Sequence, residues 1–399
     1  MPGSPDIADR TWFGIARCRD GGIAIEGAVE TWSGRHDHAQ ILIVDERGPV
    51  DWLLLGPEDA GEECVARHLS ELPGTDDRPD LPQLPAGDLT VAICTRERPS
   101  FLRACLERVR AAVNDHYEVL VIDNAPRTDA TERIVELFSD RGMRIRRVVE
   151  PRPGLSRARN RALASAETRY VAFTDDDALA DSEWPLALHR GFSAGESVAV
   201  VTGIVPPAQI ETKAQALFEK KLKWSNNLTP ETFAMARQHS YPWVFPYSAG
   251  NLGTGANFAV DRKVVLELGG FDEALGAGTR TKGGEDMEMF VRVLRADYEL
   301  SFQPSAIVWH MHISDPRALR RILFGYGKGL SAIACSELRH PGKLAMLRGT
   351  VRGARNLTHD RQAELEYGMP WTHIALELAG LICGPFAYAS ERWRSRPDT

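Results

Sequence analysis

The sequence predicts an α/β protein in which a mostly parallel sheet is flanked by helices, and three observations carry that prediction. From Leu89 onward, short apolar runs alternate with amphipathic stretches, the pattern of strand-helix-strand units feeding a parallel sheet. The residues just after those runs are polar, and in open sheets of this class ligands bind beyond the carboxyl ends of the strands. The composition, 43% apolar and 26% charged over 399 residues, is that of a globular chain with room for one large domain plus attachments, or for two ordinary ones.

The first element ahead of that pattern is a hairpin, with arms at 39–44 and 50–55 around a turn at Asp45-Glu46-Arg47-Gly48-Pro49. A helix is expected over 60–72. The polar, proline-rich stretch 73–82 then reads as a linker, because proline and aspartate favour extended or turning backbone. Strands are expected at 89–94, 118–122, 145–149, 170–174 and 198–201. Between them the pattern predicts helices at 99–113, with Pro99 suited to a first turn, and at 156–166, with Ser156 as N-cap. The expected division is a small N-terminal β/α-containing accessory domain with its linker over 1–84, a nucleotide-binding type of domain over 85–315, and a helical C-terminal extension over 316–399.

Charge and cysteine usage exclude some classes. The formal net charge is -7, so no overall positive field holds a polyanion, and nucleic acid is not an expected partner. The six cysteines are scattered, with no pair at the spacing of a zinc knuckle or a redox motif, which fits free thiols in a reducing compartment. The opening residues lack the basic and apolar regions of a secretory signal, so a cytoplasmic location is expected. The apolar stretch 374–389 is shorter than a span needs and is interrupted by Glu377 and Pro385. Together with the basic run 317–328 and Arg392, Arg394 and Arg396, it resembles an interfacial anchor, so peripheral contact at the inner face of a membrane is expected without crossing. A helix packed on the preceding domain is the competing reading.

Three constellations carry chemistry. Asp175-Asp176-Asp177 follows an apolar run directly, and like charges side by side are unfavourable unless a cation neutralises them. Hard carboxylate oxygens suit Mg2+ or Mn2+, whose shell is usually completed by substrate phosphates. In Gly283-Gly284-Glu285-Asp286 a glycine pair precedes an acidic helix start. Spacing leaves open both an ordinary macrodipole-favoured N-terminus and a carboxylate base for an acceptor hydroxyl. In the third, Ala306-Ile307-Val308-Trp309-His310-Met311-His312, an apolar strand-like run ends in two histidines on one face. Near a carboxylate-bound cation, His310 is a reasonable further ligand. Other motifs fail: Gly325-Tyr326-Gly327-Lys328-Gly329 lacks the ending of a P-loop, Gly250 to Gly255 comes too late for a dinucleotide fingerprint, and no nucleophile elbow or His-Glu-x-x-His is present.

Taken in order, Val91 to Pro99, Val121-Ile122-Asp123-Asn124, Pro153 to Asn160, Phe173 to Asp177, Gly253 to Asn257, Gly269-Gly270-Phe271-Asp272, Gly284-Glu285-Asp286 and Trp309-His310 resemble the family-2 glycosyltransferases. The resemblance runs from about Leu89 to His312. It implies the GT-A fold, a Rossmann-like arrangement, and inverting transfer of a sugar from a nucleotide diphosphate sugar to an acceptor hydroxyl. By resemblance, Thr95 and Asp123 lie near the donor base and ribose, and Arg157, Arg159 and Asn160 near the donor. Asp175 and Asp177 are implied as the pair holding Mn2+ or Mg2+, His310 as a late metal ligand, and Asp286 as catalytic base. Arg96, Asp176, Gly284 and Glu285 complete the expected substrate-binding set.

A nucleotidyltransferase acting on a sugar phosphate could share the first half of this site, although it gives Gly284-Glu285-Asp286 no natural role. A non-catalytic nucleotide-sugar binding protein is the other alternative. The acceptor, whether small molecule, glycan or lipid-linked, is expected to meet the aromatic-rich segment 210–248, with Trp224, Phe233, Tyr241, Trp243, Phe245 and Tyr247; a buried helical insert is the bland reading of the same residues.

Overall fold

The computed structural model describes residues 10–29, 36–56, 59, 61–72, 88–113, 116–222, 224–236, 245–246, 252–339 and 369–394. Strands β1 (Thr11–Arg19), β2 (Gly22–Gly27), β3 (His38–Asp45) and β4 (Gly48–Leu55) precede helix α1 (Glu62–Glu71). The expected hairpin is β3 and β4, paired from Ala39 with Leu55 to Asp45 with Gly48. Gly48 closes it at φ 116, a conformation that favours glycine. The expected linker at 73–82 lies outside the described residues.

Next come β5 (Leu89–Thr95), α2 (Pro99–Val113), β6 (Glu118–Asn124), α3 (Ala130–Asp140), β7 (Ile145–Glu150), α4 (Leu155–Ser165) and β8 (Tyr170–Asp175). The chain continues through β9 (Ala178–Ala180), α5 (Trp184–Gly191), β10 (Val198–Ile204), β11 (Gln209–Ile210), α6 (Lys213–Leu222) and β12 (Glu231–Phe233). It then forms β13 (Asn257–Asp261), α7 (Arg262–Glu267), α8 (Glu285–Arg295), β14 (Glu299–His310), α9 (Pro316–Glu337) and α10 (Trp371–Arg394).

The large sheet runs β12-β14-β10-β13-β8-β5-β6-β7, with β9 on β14. It is parallel across β7, β6, β5 and β8, and again between β10 and β14. The short strand β13 is inserted antiparallel between β8 and β10. All five of its residues are buried, so it has no alternation to reveal it in sequence. The parallel half brings the carboxyl ends of β5, β6 and β8 to one edge, as the strand-end rule requires.

The N-terminal sheet is continuous with this architecture. It runs β11-β1-β3-β4, so a segment that follows β10 supplies one of its strands. Phe13, Ile15, Leu42, Val44 and Trp52 share a single apolar core with Phe173, Phe258 and Trp309 of the large sheet. The Trp52 ring meets Trp309 edge-on at 6.4 Å and donates its indole N–H to the Ser225 carbonyl at 3.0 Å. Arg17 adds an ion pair to Asp181.

At the other end, Asp315 caps α9 through the N–H groups of Arg317 and Ala318, and Pro316 fills the first turn. The run Gly325-Tyr326-Gly327-Lys328-Gly329 is helical, and its glycines serve packing. A Cβ on Gly327 would stand 2.0 Å from the Glu377 carbonyl oxygen of α10, and one on Gly380 2.2 Å from the Phe324 carbonyl oxygen. The two backbones meet at distances that only glycine permits, the logic of small-residue helix seams. Gly327→Ala tests this. Alanine elsewhere in a helix stabilises by about 1 kcal/mol, whereas here overpacking against backbone should cost about 1–3 kcal/mol. Thermal unfolding should show a lowered midpoint, and a raised one would refute the seam.

Candidate active site

The site is built at the ends of β5, β6 and β8. Thr95, the last residue of β5, donates its hydroxyl to Asp176 at 2.7 Å. Arg98 grips two acids at once, Asp176 at 2.5 Å and Asp177 at 2.9 Å. Burial pushes the Asp175 carboxyl up to about 8, with Asp177 and Asp176 adding to it against Arg159; burial likewise raises Asp176 to about 6 against Arg98. Asp177 differs: burial would raise it, yet His310 and Arg98 hold it below the usual carboxylate range. Three adjacent carboxyl groups, of which Asp175 and Asp176 resist ionising beside Asp177, are the electrostatic mark of a place suited to a cation.

At the end of β6, Asp123 is fully buried and accepts from Arg147 Nε at 2.9 Å through one oxygen. Its other oxygen, Oδ1, is buried without a hydrogen-bond partner among the described residues. An orphaned acceptor costs about 1–3 kcal/mol, so this atom is suited to meeting a donor group of a ligand.

His310 closes the site from the end of β14. Its Nε2 faces Asp177 Oδ1 at 3.5 Å, and its Nδ1 lies 3.0 Å from His312 Nδ1. His312 Nε2 in turn meets Glu219 of α6 at 2.9 Å. A carboxylate accepts, so His312 donates from Nε2, and in the neutral form of that ring Nδ1 keeps a lone pair. His310 must then donate from Nδ1, which leaves its own Nε2 lone pair facing Asp177. Burial holds His310 down to about 4, so the ring is neutral, the form that ligates. Two such ligands about 2 Å from one ion stand about 3 Å apart in octahedral geometry, close to the observed facing distance. Asp175, expected in the same set, lies toward Arg159, 3.8 Å from its guanidinium. Among the described residues no three His, Cys, Asp or Glu side chains are gathered closely enough to hold a cation alone. The expected trio is therefore a facing pair, Asp177 and His310, with Asp175 set apart by its attraction to Arg159.

The glycine-acid element divides its two acids. Gly284 starts α8 at φ 94, where a Cβ would stand 3.0 Å from the Gly329 carbonyl oxygen. Glu285 points inward and pairs with Arg159 at 2.8 Å. Asp286 is half-buried and is aimed by two N–H groups, Gly255 at 2.6 Å and Met287 at 2.9 Å. Arg159, only 2% exposed, also donates to the Gly255 carbonyl at 2.9 Å and lies over the Phe258 and Phe271 rings.

Several residues expected at the substrate also make contacts within the frame. Arg159 and Glu285 neutralise each other in the interior, where an unpaired charge would be costly. Arg157 binds Glu273 at 3.1 Å and the Pro153 carbonyl at 2.8 Å. Asn160 clamps the Phe271 backbone through both N–H and C=O. Thr95 and Asp176 are tied to each other, and Gly284 serves backbone geometry. Arg96 is half-buried and has no hydrogen bond or ion pair to a described residue, so it remains able to meet a ligand. In the aromatic segment, Phe218 and Trp224 each pack at 6.2 Å from the His310 ring, whereas Phe233 is core. Tyr241, Trp243 and Tyr247 lie outside the described residues.

Sequence reasoning missed Arg98, Arg147, Glu219, His312 as a partner of His310, and Tyr326. Arg98 had a signal, since it stands three residues past Thr95 at a strand end. Tyr326 had none, because its glycine-flanked run was set aside as a failed phosphate loop. Its phenol is pushed up by burial and then by Asp286, Asp175 and Asp177, which brings α9 to the acidic site.

Residues 90–262 match Glycosyl transferase family 2. That segment, under half of the chain, is similar to the family-2 glycosyltransferases. Thr95, Asp123 and the three aspartates fall inside the matched segment, and Asp286 and His310 follow it. The chain is similar to the pre-mycofactocin glycosyltransferase of Mycobacterium tuberculosis, 28% identical over 281 residues, which cover 67% of this chain and 52% of that protein. It is also similar to the probable glycosyltransferase YdaM of Bacillus subtilis, 27% identical over 218 residues, 51% of this chain and 46% of that one. The chain thus spans about half the length of these curated relatives. Among solved structures, a mannosyltransferase from Pyrobaculum calidifontis in complex with GDP-Man and Mn2+ gives a TM-score of 0.49 at 17% identity, covering 83% of this chain and 94% of that chain. The architecture is mixed α/β, as the sequence pattern predicts.

Arg159→Met should destabilise the protein by about 3–5 kcal/mol, the scale for stranding a buried charge. Adding Glu285→Gln should restore part of that loss. Urea unfolding of the two single variants and the double variant reads the coupling; additive losses would show that the pair does not act as a unit.

Proposed function

We propose that this protein is an inverting glycosyltransferase that moves a sugar from a nucleoside diphosphate sugar onto an acceptor hydroxyl. The observation that carries the reading is the orientation of Asp286. It is the half-buried acid of the Gly-Gly-Glu-Asp element, held by two backbone N–H groups, while its neighbour Glu285 is buried and spent on Arg159.

The chain's own residues account for each demand of a direct displacement. Asp123 Oδ1, buried and unpartnered, accepts a hydrogen bond from the donor's base or ribose, and Arg96 meets the diphosphate. Asp286 takes the acceptor proton as the oxygen attacks the anomeric carbon from the face opposite the nucleotide, so configuration inverts. Tyr326, held protonated by burial and then by the surrounding acids, offers its phenolic O–H to a bound substrate. Asp177 and His310, joined by Asp175 once it turns from Arg159, would hold Mn2+ or Mg2+, which would supply a Lewis acid toward the departing diphosphate. The Glu219-His312 pair keeps His310 in the ligating tautomer. We place the protein in the cytoplasm, with its C-terminal region in peripheral contact with the inner face of the membrane.

Asp286→Asn should leave donor affinity near the parental value and lower turnover by about two to four powers of ten, the scale of a positioned general base. Glu285→Gln should show its effect first in stability. The measurements are release of nucleoside diphosphate and donor titration, with a panel of nucleotide sugars supplying the donor. An Asp286→Asn enzyme with parental turnover sinks the assignment. In the parent, EDTA should abolish transfer and Mn2+ or Mg2+ should restore it; full activity in excess EDTA sinks the metal assignment.

A further inference from the structure

Helix α10 has two faces of different character. The inner face packs on α9 through Gly380 and Gly384, and it buries Glu377, paired with Lys221 at 2.9 Å, and Glu391. The outer face carries Trp371, Leu378, Ile382, Phe386 and Trp393, spaced by 7, 4, 4 and 7 residues, which keeps them in one stripe. Four of them, Trp371, Ile382, Phe386 and Trp393, are 71–75% exposed. Over 24 residues the helix is about 36 Å long. A stripe of large apolar side chains this long marks an interaction surface.

Beside the stripe is a cavity of about 720 Å³ between α10, α9 and the loop 278–282. Five cationic residues line it, Arg157, Arg280, Lys282, Lys328 and Arg394, against one acid, Glu391. Phe386 lines it too, so the pocket and the stripe adjoin. Burial, then the nearby charges of Lys282 and Arg280, hold the Lys328 ammonium below its ordinary value. No carboxylate within the described residues is paired with Lys282 or Lys328, which leaves uncompensated positive charge at the rim of an apolar face.

We propose that this pocket takes the phosphate of an anionic bilayer lipid while the outer face of α10 lies in the boundary between headgroups and acyl chains. A cationic rim on an apolar helix face is what an anionic membrane surface attracts. A second copy of the chain fits less well, because a two-fold contact across the stripe sets each cationic pocket near its own copy. A spanning orientation is opposed by the inner face, whose buried carboxylates and glycine seam are committed to α9. The inference rests on the membrane contact proposed above, gives it a lipid chemistry, and is independent of the transfer reaction.

The test is flotation of the full chain with vesicles of phosphatidylcholine alone and with 30% phosphatidylglycerol, a composition in the range where polybasic surfaces respond. The parent should float at least tenfold better with the anionic vesicles. Lys282→Glu/Lys328→Glu should lose that preference by about tenfold or more, at about fivefold per cation. Arg103→Glu/Arg110→Glu, on α2 where it packs against α3 and α5, should keep it. Leu378→Glu/Ile382→Glu should not float on either vesicle. Unchanged thermal midpoints confirm that the variants fold. If the parent stays in solution with both vesicles, the membrane contact itself is wrong. Equal flotation on both vesicles, retention of the preference by Lys282→Glu/Lys328→Glu, or equal loss in the α2 control overturns the pocket alone. Parental self-association in sedimentation that Leu378→Glu/Ile382→Glu abolishes, with no flotation, assigns the stripe to a second copy. Resistance of the bound parent to alkaline carbonate assigns it to a spanning helix.

Discussion

The buried guanidinium of Arg159 is the constraint on which the rest of the site depends. A cation at 2% exposure survives in an interior only when its donors are satisfied and its charge is met. Here Glu285 meets the charge, the Gly255 carbonyl takes a second donor, and two phenylalanine rings receive the flat faces. Each partner comes from a different stretch of chain, so one side chain of α4 fixes the start of α8, the loop before β13, and the spacing to Asp175. Asp286 inherits its position from that arrangement: Gly255 gives its carbonyl to Arg159 and its N–H to Asp286.

The acids at the end of β8 work by a related rule with a different outcome. Arg159 is satisfied within the protein, whereas Asp175, Asp176 and Asp177 are only partly so. Arg98 compensates two of them from a side chain that is 40% exposed, and Thr95 adds one hydrogen bond. What remains is a concentrated negative field framed by a neutral histidine with a free lone pair. The interior is thus closed to further charge at Arg159 and receptive to positive charge a few ångströms away.

Much of this was legible in sequence, for reasons that differ by element. The strands β5, β6, β7 and β8 announce themselves as apolar runs, and α2 falls over 99–113 as its pattern predicts because Pro99 and the amphipathic spacing agree. β13 escaped because five buried residues bear no periodic signature. Side-chain direction was the less readable quantity. Glu285 and Asp286 are adjacent acids at a helix start, and only the distant Arg159 decides that one is buried and the other half-buried. Arg157, Arg159 and Asn160 likewise stand where ligand contacts were expected, yet Glu273, Glu285 and the Phe271 backbone, each more than a hundred residues away, take up their polar atoms. The His310 relay needed Glu219, which lies 93 residues from His312, and no local pattern links them.

The glycine seam between α9 and α10 has a consequence for how the molecule breathes. At Gly327 and Gly380 main chain meets main chain, and the apolar contacts on either side, Leu319 and Leu323 with Ile374 and Ile333 with Tyr388, depend on that close approach being kept along the whole seam. Such contacts are lost together when the helices part by even an ångström, because dispersion falls off steeply with distance. The pair should therefore open as one cooperative unit, below the free energy of global unfolding, and exchange its amide hydrogens accordingly. Tyr326 rides on that unit while Arg159 and the aspartates belong to the slower-opening core, so the wall of the site that α9 supplies is renewed on a faster clock than the floor.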